Sequence, residues 1–485
     1  MYIEQIYTQC LSEATYYIES NGFAAIIDPL REVQPYLDLA KRRNARIMYV
    51  FETHFHADFV SGHVDLSDKT GATIVYGPTT VKTGYRCLIA KDEQEFGLGN
   101  VSLKLIHTPG HTMESSCLLL NDDSGTPVAL FTGDTLFIGD VGRPDLAQKI
   151  SAALTPRKLA GHLFDSLRNK IMPLPDSLIV YPGHGAGSAC GKNMSKETTD
   201  TLGHQKKVNY ALNKLLSKEE FITTVLNGLT PPPAYFPQDV MLNIKGYESL
   251  DRVLLRSLSP LESTEFYELV QRRHALVIDT RDAQAFAKSF IPGSVNIGLD
   301  GKFAVWSGTL IKDVASPVLI VADPGRENEA VMRLARIGFS QVLGFLNGGF
   351  ASWLAAAKPI ESIISIDPFE FSGIVRKGRA ELLDVRSAVE YDAGHVTTAR
   401  NIPLEYVDEN GSIVQDKTSY VYCAGGYRSM TFVSMMKARG FDHFVDVRGG
   451  FTAIKNSGFF NELLTGPVEE ETFCDITKRS ARLKF

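Results

Sequence analysis

Glu52-Thr53-His54-Phe55-His56-Ala57-Asp58-Phe59-Val60-Ser61-Gly62-His63 decides how the chain is read. The run before it, Arg46-Ile47-Met48-Tyr49-Val50-Phe51, is short, apolar and rich in β-formers, which predicts a buried strand with the histidines just past its end. Two imidazoles and a carboxylate at alternate positions can converge there on one ion. A lone His-x-His is more often a polar loop or strand edge, so the reading rests on three further segments. Leu103-Lys104-Leu105-Ile106 runs into Thr108-Pro109-Gly110-His111, Val128-Ala129-Leu130-Phe131 into Thr132-Gly133-Asp134, and Leu178-Ile179-Val180 into Tyr181-Pro182-Gly183-His184. Each is a strand, a glycine turn and a ligand-type side chain, so four loops can meet on one edge of a sheet sandwich.

The 485 residues are too many for one core and predict two to four domains. A hydrophobic content of 44% with 22% charged residues is that of globular protein. The net charge of −6, with no basic stripe, argues against a nucleic-acid or anionic-membrane partner. Met1-Tyr2-Ile3-Glu4-Gln5 lacks the charged and apolar blocks of a signal peptide, and no apolar run approaches the ~18 residues of a spanning helix, so a cytoplasmic location is expected. Six cysteines in so long a chain do not make a disulfide framework, and none form a Cys-x-x-Cys pair.

Residues 1–235 hold the metal signals, with helical patterns at Pro35 to Arg43 and Thr199 to Leu216 that point to a mixed α/β layer structure. Pro231-Pro232-Pro233 ends that domain, and residues 236–260 read as a linker. An internal repeat follows. Leu276-Val277-Ile278-Asp279-Thr280-Arg281 matches Leu382-Leu383-Asp384-Val385-Arg386, and Leu346-Asn347-Gly348-Gly349-Phe350 matches Val447-Arg448-Gly449-Gly450-Phe451, so residues 261–362 and 363–470 read as two copies of one α/β unit. After the strand Thr418 to Tyr422 the second copy carries Cys423-Ala424-Gly425-Gly426-Tyr427-Arg428-Ser429, where the first has Ala322-Asp323-Pro324-Gly325-Arg326. Only the second copy is expected to be chemically competent.

Cys423 stands between a strand and a helix start, where amides and the helix dipole favour a thiolate. Gly425 and Gly426 let the loop curl its amides inward, and Arg428 adds a cation, which suits a thiol that attacks sulfur and carries it as a persulfide. Cys190, in Gly185-Ala186-Gly187-Ser188-Ala189-Cys190-Gly191-Lys192, is either a second reactive thiol or an inert turn residue. Cys10, Cys87, Cys117 and Cys474 read as packing residues.

The second half resembles the rhodanese sulfurtransferases in its Asp-x-Arg strand end, its Gly394 to Ile402 pattern and the loop closed by Cys423 and Arg428. The resemblance implies that Cys423 accepts sulfur and Arg428 orients donor or acceptor, with the Asp323 copy left to docking or architecture. Residues 1–235 resemble the metallo-β-lactamase superfamily, an αββα sandwich in which His-x-His-x-Asp, Pro-Gly-His-Thr, Gly-Asp and a late His supply ligands in that order. Phe59 stands where two-metal members carry another His, which favours a single ion.

Within that superfamily the match is to the persulfide dioxygenases. It implies one Fe(II) per chain on His54, His111 and Asp134, with His56, Asp58 and His184 close by and Arg143 binding the thiol substrate. Ligand counting alone also allows zinc on His54, His56 and His111. Ala186 stands where glutathione-using members carry an aromatic, and the Cys190 loop is similar to that of the bacterial dioxygenase–sulfurtransferase fusions. The expectation is a bifunctional enzyme that oxidises a low-molecular-weight persulfide with O2 to sulfite and thiol, then makes thiosulfate from sulfite at Cys423. Its partners would be persulfide, O2, sulfite and further copies of itself as dimer or tetramer. The alternatives are a zinc thioester hydrolase like glyoxalase II with an appended sulfurtransferase, or a persulfide carrier or sensor without turnover.

Overall fold

The computed structural model describes residues 1–146, 154–378, 380–408, 417–460 and 464–465. Cys474 lies outside them. The chain divides into two units, Met1–Thr280 with Gly298–Lys358, and Arg281–Ile297 with Pro359–Phe485.

The first unit is built on two six-stranded sheets. One runs in chain order through β1 (Tyr2–Thr8), β2 (Glu13–Ser20), β3 (Phe23–Ile27), β4 (Arg46–Glu52), β5 (Thr73–Tyr76) and β6 (Leu88–Ile89). The other has β7 (Glu95–Leu98), β8 (Val101–His107), β9 (Ser116–Asn121), β10 (Pro127–Gly133), β11 (Ile179–Pro182) and β12 (Asp200–Thr201), again with chain neighbours adjacent. Alternation in β7 and β8 puts Phe96, Leu98, Leu103 and Leu105 inward, against Tyr16, Ile18, Phe51 and Val75 of the first sheet. Helices α1 (Gln34–Arg42) and α2 (His63–Thr70) cover the outer face of the first sheet, where Tyr36, Leu39 and Leu66 meet Tyr17 and Ile26. On the other side α3 (Pro156–Ser166), α4 (Leu202–Val208) and α5 (Lys218–Leu226) bury Leu163, Leu202 and Phe221 against Ile106, Leu130 and Val180. The result is the expected αββα sandwich.

Residues 236–260, expected as a linker, carry two helices, α6 (Phe236–Lys245) and α7 (Leu250–Ser257). The three prolines do break the chain, but Pro237 then sits in the first turn of α6, where a missing N–H costs nothing. A parallel sheet of Pro260–Leu261, Val342–Leu346, Val318–Val321 and Leu276–Asp279 completes this unit. The second unit has its own parallel sheet, Ser365–Ile366, Phe444–Val447, Ser419–Tyr422, Glu381–Asp384 and Arg400–Asn401. The segment Arg281–Ile297, from the first repeat in sequence, packs into this unit: Asn296 N donates to Ser434 Oγ at 2.9 Å and Gln284 Nε2 to Asp446 Oδ2 at 3.1 Å. Among the described residues, no helix is long and apolar enough to cross a membrane.

Candidate metal centre and thiol site

β4, β8, β10 and β11 end at one edge of the sandwich, and the loops after them bring His54, His111, Asp134 and His184 together. His54, His111 and Asp134 are at most 2% exposed, and their ligand atoms all lie within 4.8 Å of one another. Asp134 Oδ2 is 3.5 Å from His111 Nε2 and 4.0 Å from His54 Nε2, and it has no hydrogen-bond partner although fully buried. A buried carboxylate oxygen left bare costs free energy unless something positive sits beside it.

The far side of each imidazole is occupied. His54 Nδ1 is 3.0 Å from Thr53 Oγ1, and His111 Nδ1 is 2.9 Å from the carbonyl oxygen of Arg143. For His111 that carbonyl accepts the Nδ1 proton and turns Nε2 toward Asp134, the tethering usual for metal-bound histidine. Burial, with His56 beside it, holds His54 well below its ordinary pKa, so it is a neutral ligand. Two imidazole Nε2 atoms and one bare carboxylate oxygen therefore fit a divalent cation, with coordination positions left over.

His184 bridges the centre from behind. Its Nδ1 is 2.8 Å from Asp134 Oδ1 and its Nε2 2.8 Å from Asp58 Oδ2. Burial alone would lower its pKa, but the carboxylates on either side outweigh that and hold it well above its usual value. Gly183 allows the approach, since a Cβ there would stand 2.8 Å from Asp134 Oδ1. His56 turns to a different set, with Nε2 3.0 Å from Asp28 Oδ1 and 3.4 Å from Glu52 Oε2. His56 thus groups with Asp28 and Glu52 instead of with His54 and His111.

Asp28 and Glu52 are residues that sequence reasoning missed. Asp28 accepts from Thr53 N at 2.7 Å and Thr53 Oγ1 at 2.8 Å, so it anchors the ligand loop as well as His56. Its signal was the same as that of the others: an acidic side chain just past a buried strand, here β3, and before a proline. Asn243 of α6 was invisible in sequence. It donates to the carbonyls of His56 and Phe59, each at 2.8 Å, and accepts from Ser61 N at 2.9 Å.

Arg143, expected to bind substrate, spends its donors inside the protein. Nε and Nη2 pair with Asp145 at 2.6 and 2.7 Å, Nη1 donates to Ala189 O, and Nη2 also to Thr230 O. It is a clamp on the Cys190 loop, whose Cys190 O also accepts from Arg143 N. Cys190 itself lies within 4.8 Å of Asp58 and His184 ligand atoms and is 1% exposed. Burial, then the charges of Asp58 and Asp134, push its thiol well above the ordinary value, which opposes a thiolate. Cys117 is buried, and Cys10 and Cys87 partly so.

In the second unit the strand Ser419–Tyr422 feeds the Cys423 loop, and the helix Tyr427–Ala438 begins directly after it. Gly426 holds φ +95°, a conformation that favours glycine, and its N–H donates to Cys423 Sγ at 3.1 Å. A second helix start supports the loop, with Thr452 N donating to Ala424 O at 3.0 Å and Phe451 N to Cys423 O at 2.6 Å. Arg428 reaches the same loop but pairs with Glu390. In the first unit the corresponding Asp323 loop has Arg326 tied to Asp300 at 2.8 Å and Glu329 at 2.9 Å. That repeat does touch the metal loops: Arg336 O accepts from Val60 N at 2.7 Å, and Lys302 Nζ donates to Gly187 O at 2.8 Å.

Comparison with known proteins follows the same division. The metallo-beta-lactamase superfamily model matches residues 9–184, and the rhodanese-like domain model matches twice, at 262–356 and 368–457. A solved structure titled a metallo-beta-lactamase, from Staphylococcus aureus subsp. aureus COL, is 30% identical with a TM-score of 0.63, covering 72% of this chain and 99% of that one. Human mitochondrial persulfide dioxygenase ETHE1 is 29% identical over 224 residues, 46% of this chain and 78% of its own length. A hydroxyacylglutathione hydrolase of Rhizobium etli is 35% identical over 165 residues, 34% of this chain, which spans 57% of that relative's length. The chain therefore belongs to the metallo-beta-lactamase superfamily through its N-terminal sandwich, and two rhodanese-like domains follow it.

Proposed function

We propose that the chain oxidises a low-molecular-weight persulfide to sulfite and thiol at the His54, His111 and Asp134 centre, and turns sulfite into thiosulfate at Cys423. The observation that carries the first half is the bare, buried Asp134 Oδ2 facing two imidazole Nε2 atoms. Iron held there would supply O2 activation, the usual role of a two-histidine, one-carboxylate set with open positions. The reaction balances as RSSH + O2 + H2O giving RSH + SO3²⁻ + 2H⁺. The protein's part is orientation: Thr53 and the Arg143 carbonyl fix the imidazoles, and protonated His184 occupies Asp134 Oδ1 so that Oδ2 alone faces the ligand set.

At the second site the Cys423 thiolate attacks the outer sulfur of a second persulfide. The S–S bond of the donor breaks, RSH leaves, and Cys423 carries the sulfur. The lone pair on the sulfur of sulfite then forms the new S–S bond, and the electrons of the bond to Cys423 return to its sulfur. Gly426 N–H already donates to that sulfur. The division proposed is residues 1–235 for oxidation, 363–470 for transfer and the Asp323 domain, 261–362, for support.

A zinc thioester hydrolase is the second reading, favoured by the likeness to hydroxyacylglutathione hydrolases. Anaerobic purification with elemental analysis separates the two. One iron per chain with persulfide-dependent O2 uptake and thiosulfate formation is expected. Zinc with thioester turnover and no O2 uptake would overturn the proposal.

A further inference from the structure

Arg428 is engaged before any substrate arrives. Its Nη1 and Nη2 lie 2.7 Å from Glu390 Oε2 and Oε1, a two-pronged ion pair. Glu390 is fixed in turn, because its Oε2 accepts from Ser387 N at 3.1 Å and Ser387 Oγ at 2.9 Å, the capping box of the short helix Ala388–Asp392. Moving this carboxylate away would break a helix cap as well as the ion pair. Burial works against its charge, yet Arg428 and Ser387 hold its carboxyl at about 2, so it is ionised at every working pH. Glu405 is a second carboxylate in the fields of both Arg428 and Glu390, and Arg428 in turn feels Cys423. One guanidinium thus pairs with Glu390, and the charges of Glu405 and Cys423 act on it without a hydrogen bond of their own.

Sulfurtransfer chemistry makes this balance matter. Thiosulfate is a dianion, whereas sulfite is partly protonated near neutral pH and a persulfide carries at most one charge on its sulfur. We propose that Glu390 is a positioning and selectivity residue of the Cys423 site: it aims Arg428 and its charge disfavours dianionic thiosulfate, so that thiosulfate leaves as product and is a poor sulfur donor. This rests on the reading of Cys423 as the sulfur-transfer nucleophile. In the disfavoured direction Cys423 thiolate takes the outer sulfur of thiosulfate, that S–S bond breaks, and sulfite departs with its electrons. In the favoured direction the Cys423 persulfide and sulfite give thiolate and thiosulfate, with the same atoms and charge on each side.

The test uses full-length chains. Calorimetry reads thiosulfate binding to Cys423→Ser and to Cys423→Ser/Glu390→Gln, where no turnover is possible. Steady-state assays compare thiosulfate and a persulfide as donors for wild type, Glu390→Gln and Glu390→Asp. Gln keeps the shape and an acceptor but removes the charge. The thiosulfate Kd is expected to fall roughly three- to tenfold in the Gln background, the scale of one charge acting on a dianion across a few ångströms of wet protein. The ratio of kcat/KM for thiosulfate to that for persulfide should rise by a similar factor, mostly through KM, and Glu390→Asp should restore the wild-type ratio. A merely structural role would lower kcat for both donors together; that outcome, or an unchanged Kd, overturns the proposal. If wild-type protein uses neither donor, the transfer reading of Cys423 fails, while the paired Kd values still decide whether Glu390 selects by charge.

Discussion

Asp134 has two oxygens with two separate duties. Oδ1 is spent on His184, and Oδ2 is bare toward His54 and His111. An asparagine there would keep an oxygen on the His184 proton and turn its amide toward the two Nε2 atoms. The amide would donate where the carboxylate had attracted a cation, closing the set without an ion. Asp134→Asn should therefore lose roughly tenfold or more in metal affinity, at least the scale seen when a partner of a ligand is removed, while the apo protein melts no lower. Elemental analysis and melting curves check both, and full metal loading would contradict it. Glu390 gives a pH prediction at the same scale. Its carboxyl is depressed from 4.5 to about 2 in the folded chain, so its contribution to stability is complete above about 4.5 and is lost as pH falls toward about 2. The difference in Tm between wild type and Glu390→Gln should accordingly narrow as the solution is acidified below pH 4.5. A gap that widens would mean the ion pair does not hold the charge.

At the scale of elements, α6 shows how a helix outside the ligand-bearing loops sets their shape. Asn243 satisfies one N–H and two carbonyls of the stretch from His56 to Ser61. Asn243→Ala leaves these buried groups unpaired and should cost about 2–4 kcal/mol. Thermal or denaturant unfolding measures the loss, and weaker metal retention should accompany it because His54 and His56 flank the loop. This element also marks where the sequence stopped being informative. A strand end followed by His-x-His-x-Asp, or by glycine and a ligand residue, is a local pattern, so His54 stood out by the first and His111, Asp134 and His184 by the second. The αββα layering was legible for the same reason, since alternation in β7 and β8 is written residue by residue. By contrast, Asn243 lies 182 or more positions from its partners, and Pro231 to Pro237 reads as a breaker from either side. Glu390 lies 38 residues before Arg428, a pairing that chain-local patterns do not encode. Arg143 was visible, but only its neighbours in space turn it from a substrate contact into a clamp.

At the scale of the whole molecule, one chain joins a metal centre of the sandwich type to a cysteine loop of the rhodanese type. Physically, the fusion makes sense if the first site releases something that the second consumes. Sulfite is such a species: it is a reactive nucleophile toward disulfides, and its lone pair is what a cysteine persulfide requires. Cys423 belongs to a separate compact unit from His54, His111 and Asp134, so removing its thiol leaves that cluster's residues in place. Cys423→Ser, given persulfide and O2, should consume O2 within about twofold of the wild-type rate and accumulate sulfite one for one with O2. Wild type should accumulate thiosulfate under the same conditions and draw two persulfides for each O2, one oxidised and one donating sulfur. Oxygen-electrode traces with sulfite and thiosulfate measured on the same samples decide it. If Cys423→Ser makes thiosulfate at the wild-type rate, the transfer occurs elsewhere, and Cys190, the thiol buried beside Asp58 and His184, becomes the first residue to replace.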